Sequence, residues 1–371
     1  MERAPGSMSQ QPGHGVDRRD FLKVCTMAAA AVGLPTSVAV KWAEAAAAGL
    51  KPSVIWLHFQ ECTGCTESLL RTSHPALAEL ILDLISLDYH ETLFAAAGNQ
   101  IHEALKSAME ANAGKFVCVV EGSIPTKENG IYCQIGGRTA VDILNDVASK
   151  AGAIIAIGSC ASWGGIPSAD PNPTGAKGAP QILEGKTVVT LPGCPANPYN
   201  LLGTVLQYVT YGTLPALDDK ARPKFAYGRI IHEDCPRRPH FDAGRFAQQY
   251  GDQGHRDGWC LYKLGCKGPA THASCSLQHF GEVVGAWPIG IGHPCIGCTE
   301  QAMLWRVPTH TTVEIDRPTP PDTYPPIKAE HRSVSPVTAG VAGLAAGAAI
   351  GAGIVASRKL VKGDADAEKE A

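Results

Sequence analysis

Between residues 232 and 298 the chain places His232 and six cysteines, Cys235, Cys260, Cys266, Cys275, Cys295 and Cys298, among glycines, prolines and charged residues. Apolar residues in this stretch show too little periodicity for an ordinary core. A segment that buries so little hydrocarbon needs another staple, and soft thiolates at short spacings point to metal. Four more cysteines, Cys62, Cys65, Cys160 and Cys194, stand upstream on a different kind of scaffold. Bringing these ten cysteines and one histidine into place is the task that constrains the rest of the chain.

Thirteen cysteines in 371 residues would first suggest disulfides in a secreted protein, and metal or redox chemistry in a reducing compartment. The N-terminus bears on the choice. In residues 1–48, Arg18-Arg19-Asp20-Phe21-Leu22-Lys23 precedes an Ala-rich apolar run, and an Ala-x-Ala region follows at 43–48. The pattern resembles a twin-arginine signal, with Asp17 where Ser or Thr is more usual. Such a route exports protein already folded and loaded with cofactor. The thiols can therefore receive metal while still reduced, and disulfides become the weaker reading. Cys25 lies inside the signal and is expected to leave with it. A net charge of −3, from 32 basic and 35 acidic residues, offers nucleic acid no attractive field.

Residues 49–228 read as an α/β domain. Apolar, β-branched runs at 54–59, 116–120, 153–157 and 187–191 predict strands, with helical patterns from Thr66 onward and at 100–113, 137–150 and 197–211. Strands alternating with helices of this length predict a doubly wound parallel sheet. In such a sheet the loops that follow the strands gather along one carboxyl edge. Cys62 and Cys65, Cys160, and Cys194 each follow a predicted strand closely, so all four are expected on one rim. Four converging thiolates fit either a tetrahedral zinc or a cubane iron–sulfur cluster. Cys118 lies inside a strand and reads as buried core, and Cys133 reads as structural.

Residues 229–313 read as an irregular, cysteine-rich domain with two donor sets. His232-x2-Cys235 pairs with Cys260-x5-Cys266, which taken alone also suits a zinc knuckle. Cys295-x2-Cys298 pairs with Cys275 and has no fourth thiolate, and Trp287-Pro288 offers only a proline where another ligand would stand. Three thiolates suit a structural zinc poorly and an incomplete cubane better. Three sites in a row suit the passage of single electrons by short hops. A neutral imidazole in place of a thiolate removes one negative charge, and suits a site near the surface where an acceptor docks.

Residues 314–336 are Pro-rich and read as a semi-extended linker. The uncharged run 337–356 is long enough, at ~1.5 Å per residue, to cross the ~30 Å core of a bilayer as a helix. Gly343, Gly347 and Gly351 fall on one face of that helix, and Arg358, Lys359 and Lys362 in the 357–371 tail predict a cytoplasmic end. A disordered Ala/Gly tail is the alternative.

The motifs Glu61-Cys62-Thr63-Gly64-Cys65-Thr66-Glu67-Ser68, Glu121-Gly122-Ser123-Ile124-Pro125, Gly158-Ser159-Cys160-Ala161, Leu191-Pro192-Gly193-Cys194-Pro195 and Gly292-His293-Pro294-Cys295-Ile296-Gly297-Cys298 resemble the small subunit of NiFe hydrogenases over about residues 50–315. The resemblance implies a flavodoxin-like first domain without flavin. It implies a proximal 4Fe-4S cluster on Cys62, Cys65, Cys160 and Cys194, and a distal 4Fe-4S cluster on His232, Cys235, Cys260 and Cys266. A medial 3Fe-4S cluster on Cys275, Cys295 and Cys298 completes the set. It further implies a large-subunit partner holding the nickel–iron centre and, by likeness to membrane-bound uptake enzymes, a membrane acceptor such as a cytochrome b on the periplasmic face. Oxygen-tolerant members carry extra cysteines near the proximal cluster where this chain has Gly64 and Gly165, so it resembles the standard kind. The related quinone-reductase subunit of respiratory complex I shares the proximal-cluster fold and lacks the other two sets. Glu61 and Glu67 flank the proximal pair and stand where protons could pass, although Glu67 also simply suits a helix N-terminus. A zinc-stabilised binding protein and a generic multi-cluster electron carrier are the competing functions.

Overall fold

Residues buried on both faces of a sheet read as unbroken apolar runs, and the predicted runs here form the centre of one. The computed structural model describes residues 51–73 and 84–316, with Thr26, Ser37, Val40, Lys41, Glu44 and Leu77. Strands β1 (Ser53–His58), β2 (Ser86–His90), β3 (Val117–Glu121), β4 (Ala153–Ile157) and β5 (Val188–Leu191) are all parallel. Their spatial order is β2-β1-β3-β4-β5, the flavodoxin-like doubly wound order. Strand β2 was not predicted. It lies at the sheet edge, where Ser86 and Asp88 are tolerated because only one side of the strand is paired.

Alternate residues of each strand feed two separate cores. Val54, Trp56, Val119, Ile155 and Leu191 face one side, packed under Leu201, Leu202, Val205 and Leu206 of a long helix, Pro198–Tyr211. Ile55, Leu57, Val120, Ile154 and Ala156 face the other, covered by Leu105 and Met109 of helix Asn99–Ala111 and by Ile143, Leu144 and Val147 of helix Ala140–Lys150. Side chains nearly all below a few per cent exposure make this sheet the rigid part of the molecule. Cys118 is among the fully buried residues, as its place inside a strand predicts, and the half-buried Cys133 packs on the same core.

Beyond Gly228 the chain is held mainly by turns and very short helices such as Arg238–Asp242 and Gln253–Arg256. Its core is small: Ile231, Leu261, Leu264, Trp287 and Ile289 pack together with Cys235, Cys266 and Cys295. Sulfur thus forms much of the interior, in line with the weak apolar periodicity of this stretch. Among the described residues no helix is long and apolar enough to cross a membrane. The predicted span at 337–356 and the tail after it lie outside the described residues.

Candidate metal centres

Helix α1 (Gly64–Leu70) begins directly after the turn that carries Cys62, with Thr63 in the left-handed region at φ 60°. Its first N–H groups have no partners within the helix and need an acceptor. Glu121, at the end of β3, supplies one. Its Oε1 accepts from the N–H of Cys65 at 3.0 Å and of Thr66 at 3.2 Å. Its Oε2 accepts from Thr66 Oγ1 at 2.6 Å and from Trp56 Nε1 at 3.1 Å. Glu121 belongs to one of the motifs that carry the family resemblance, in which the sequence alone assigns it no role; the structure places it as the anchor of Cys65.

Cys160 sits in helix α2 (Gly158–Trp163), which starts immediately after β4, and Cys194 sits in the loop after β5. Ser159 ties these two loops together: its N–H donates to Gly193 O at 2.9 Å and its Oγ accepts from Gly193 N at 3.0 Å. The sheet edge therefore brings Cys62, Cys65, Cys160 and Cys194 together, as its topology predicts. Burial, with Glu121 and the neighbouring thiols, holds the Cys65 thiol well above its ordinary pKa. Burial, with Cys194 and Cys62, pushes Cys160 up to about 12, and burial with Cys62 pushes Cys194 up. Two glycines leave room for the sulfurs. A Cβ at Gly158 would lie 2.5 Å from Cys65 Sγ, and one at Gly165 would lie 2.5 Å from Cys160 Sγ.

The second set surrounds a small buried cavity lined by His232, Cys235, Cys260 and Cys266. Burial, helped by Arg238, lowers the His232 pKa to about 4, so the imidazole is neutral, and its buried Nε2 has no hydrogen-bond partner. Burial pushes Cys235 and Cys260 up to about 12 and raises Cys266. The third set, Cys275, Cys295 and Cys298, lines a pocket of about 200 Å³ that also reaches Cys194 and Pro288. Burial raises Cys275 to about 11 and Cys298 to about 12, and drives Cys295 well above its ordinary value.

The three sets touch one another. Ser159 Oγ donates to the Cys298 carbonyl at 2.5 Å, and the Cys194 N–H faces the Cys298 sulfur closely enough to stabilise its thiolate. The Cys295 N–H donates to Cys266 Sγ at 3.4 Å. The cysteine-rich part is also held to the sheet by Glu300, which binds Arg222 at 2.8 Å, Lys220 at 2.6 Å and the His272 N–H at 2.9 Å. No local sequence signal marked that network. Of the two flanking acids, Glu67 is exposed and pairs with Arg71 at 3.6 Å. Glu61 accepts from Thr63 Oγ1 at 3.2 Å and faces His58 Nδ1 at 3.3 Å.

Among the described residues no three His, Cys, Asp or Glu side chains gather tightly enough to hold a single metal ion. The donors of the second and third sets line wider spaces instead. Buried thiols with raised pKa values need a strong positive charge to become thiolates, and iron supplies it. The unpartnered imidazole nitrogen and the glycines against the sulfurs fit the same group.

Residues 62–208 match the family described as the 20 kDa subunit of NADH ubiquinone oxidoreductase, and residues 227–309 match the C-terminal family of the NiFe/NiFeSe hydrogenase small subunit. The chain is 51% identical over 348 residues to the Hydrogenase-2 small chain of Escherichia coli K12, covering 94% of each. It is 48% identical to Periplasmic NiFe hydrogenase small subunit 1 of Nitratidesulfovibrio vulgaris Hildenborough, over 80% of this chain and 93% of that one. The fold superposes on the Ni-Fe-Se hydrogenase from Desulfomicrobium baculatum with a TM-score of 0.66 at 35% identity, covering 71% of this chain and 100% of that chain. With its sheet, its thiol-rich edge and these relatives, the chain belongs to the NiFe hydrogenase small-subunit family, the electron-transferring iron–sulfur half of a heterodimer whose large subunit holds the nickel–iron centre.

Proposed function

We propose that the chain carries three iron–sulfur clusters in line and delivers electrons from hydrogen oxidation in the large subunit to a membrane acceptor. Cys62, Cys65, Cys160 and Cys194 hold a proximal 4Fe-4S cluster. Cys275, Cys295 and Cys298 hold a medial 3Fe-4S cluster, with Pro288 where a fourth ligand would stand. His232, Cys235, Cys260 and Cys266 hold a distal 4Fe-4S cluster. When bound, these groups take up and release single electrons. The protein's own part is to bind them, bury them and fix their spacing. The reading rests most on the contacts between sets: Cys194 against Cys298, and Cys295 N–H on Cys266 Sγ at 3.4 Å, run in the order proximal, medial, distal.

The twin-arginine pattern at Arg18-Arg19 and the uncharged run at 337–356 support export and anchoring on the periplasmic face of the cytoplasmic membrane. A relative named as a periplasmic hydrogenase subunit supports the same location. The acceptor is then a membrane protein such as a cytochrome b. Domain limits at 49–228 and 229–313, with a linker at 314–336, follow from the same reading.

Purification of the heterodimer, with iron, sulfide and nickel analysis and spectra of the oxidised form, tests it. A three-iron signal beside two four-iron clusters is the expected result. Stoichiometric zinc in a colourless preparation, or the lack of any three-iron component, overturns it. His232→Ala should slow delivery to external acceptors more than hydrogen–deuterium exchange at the large subunit. Equal loss of both would assign His232 a structural role.

A further inference from the structure

Lys267 is fully buried in the cysteine-rich part, and among the described residues no carboxylate pairs with it. Its Nζ donates to three backbone carbonyls: Pro308 at 3.0 Å, Thr309 at 3.4 Å and Thr311. Three acceptors match the three hydrogens of an ammonium, whereas a neutral amine has two. A buried cation held only by neutral carbonyls is costly unless an anion lies near. Burial lowers its pKa below the ordinary lysine value, and the negative charge that Cys266 and Cys295 carry as thiolates opposes that shift. Cys266 precedes it in the chain, and the Lys267 N–H holds the Cys295 carbonyl at 2.8 Å. The proximal thiols respond to one another and to Glu121 instead.

We infer that Lys267 is the buried counter-ion shared by the medial and distal clusters, and that its charge raises the reduction potential of both. The inference rests on the ligand sets proposed above. A thiolate-bound cluster is negative and gains a further negative charge on reduction, so a fixed cation beside it favours the reduced form. Burial matters here, because little water intervenes to screen the charge. Lys267 is a positioning residue in this sense: it touches no ligand sulfur by hydrogen bond, and it sets the field in which two ligand sets work.

Redox titration of the intact heterodimer, followed by the magnetic resonance signals of each cluster, tests this. In Lys267→Met both the medial and the distal midpoint potentials should fall while the proximal one stays. Lys267→Arg, which keeps the charge, should keep both near wild type. Unchanged medial and distal potentials in the Met variant, or a fall in the Arg variant equal to that in Met, overturns the inference and leaves the cluster assignment standing. Should the Met variant assemble without its clusters, Lys267→Gln, neutral but still a donor, is titrated with the same two outcomes. A wild-type heterodimer without medial and distal signals overturns the assignment itself, and the inference with it.

Discussion

Replacing Glu300 by Gln tests whether one carboxylate joins the cysteine-rich part to the sheet. Glu300 is 5% exposed and receives Arg222 Nη1 at 2.8 Å, Lys220 Nζ at 2.6 Å, the His272 N–H at 2.9 Å and His272 Nδ1 at 3.1 Å. Arg222, itself buried, also holds Asp218 Oδ2 at 2.7 Å and the Thr299 carbonyl at 3.1 Å. Glutamine keeps the shape and one acceptor oxygen, removes the charge, and turns an N–H2 group toward Lys220 or Arg222. Lys220 is partly exposed and can move to water at little cost. Arg222 cannot. Its charge-assisted bond becomes a neutral one, a loss of about 1 kcal/mol. Less of its burial cost is then offset, which adds about 1–2 kcal/mol, and the remaining Asp218 keeps the sum below that of a fully orphaned charge. The expected loss is about 2–3 kcal/mol, or about 30- to 150-fold in the local opening equilibrium. Amide hydrogen exchange of the heterodimer reads that equilibrium directly. Protection at Arg222, His272 and Glu300 should fall by this factor while Val119 and Ile155, in the sheet centre, stay unchanged. A fall below about threefold at all three amides would refute the idea that Glu300 joins the two parts.

Gly158→Ala should deplete the proximal cluster, because a Cβ there meets Cys65 Sγ at 2.5 Å. Gly185 has the same φ of +80° with nothing within 4 Å, so Gly185→Ala carries only the backbone strain, about 1–2 kcal/mol, and should keep its iron. Equal iron content in the two variants, measured on the purified heterodimer, would count against the sulfur contact. His90 gives a pH dependence. Its Nδ1 accepts the N–H groups of Thr92 and Leu93, both at 3.3 Å, and burial with His58 beside it lowers its pKa from 6.5 to about 3. The unfolded chain then binds more protons than the folded one between these values. Stability from His90 is complete above pH 6.5 and is lost as pH falls toward 3, by up to about 5 kcal/mol. His90→Gln should flatten the stability–pH slope between pH 4 and 6 by about one proton; identical slopes would show that His90 does not titrate in this way.

Much of the scaffold was legible because its strands are covered on both faces. The runs at 54–59, 116–120, 153–157 and 187–191 lie within a residue or so of β1, β3, β4 and β5. Strand β2 was hidden because an edge strand with Ser86 and Asp88 lacks that apolar run. Helix α2 was hidden because Gly158–Trp163 is too short to show a period. The gathering of Cys62, Cys65, Cys160 and Cys194 was legible, since parallel topology alone sends the loops after the strands to one edge.

What the amino-acid order determined by itself was the supply of donors: which thiols stand close together in the chain, which position offers an imidazole, and which offers a proline. It also determined the alternating faces of the strands, since side-chain direction reverses at every residue. Only the tertiary structure decided which charges became buried and what they met there. Glu121 at the end of β3 reaches Cys65 beyond the neighbouring β1, Glu300 reaches Arg222 78 residues earlier in the chain, and Lys267 finds carbonyls at Pro308, Thr309 and Thr311. Such partners are distant in the chain and several are plain backbone groups. No local pattern encodes them, because the cost of burying a charge depends on where the whole fold removes water.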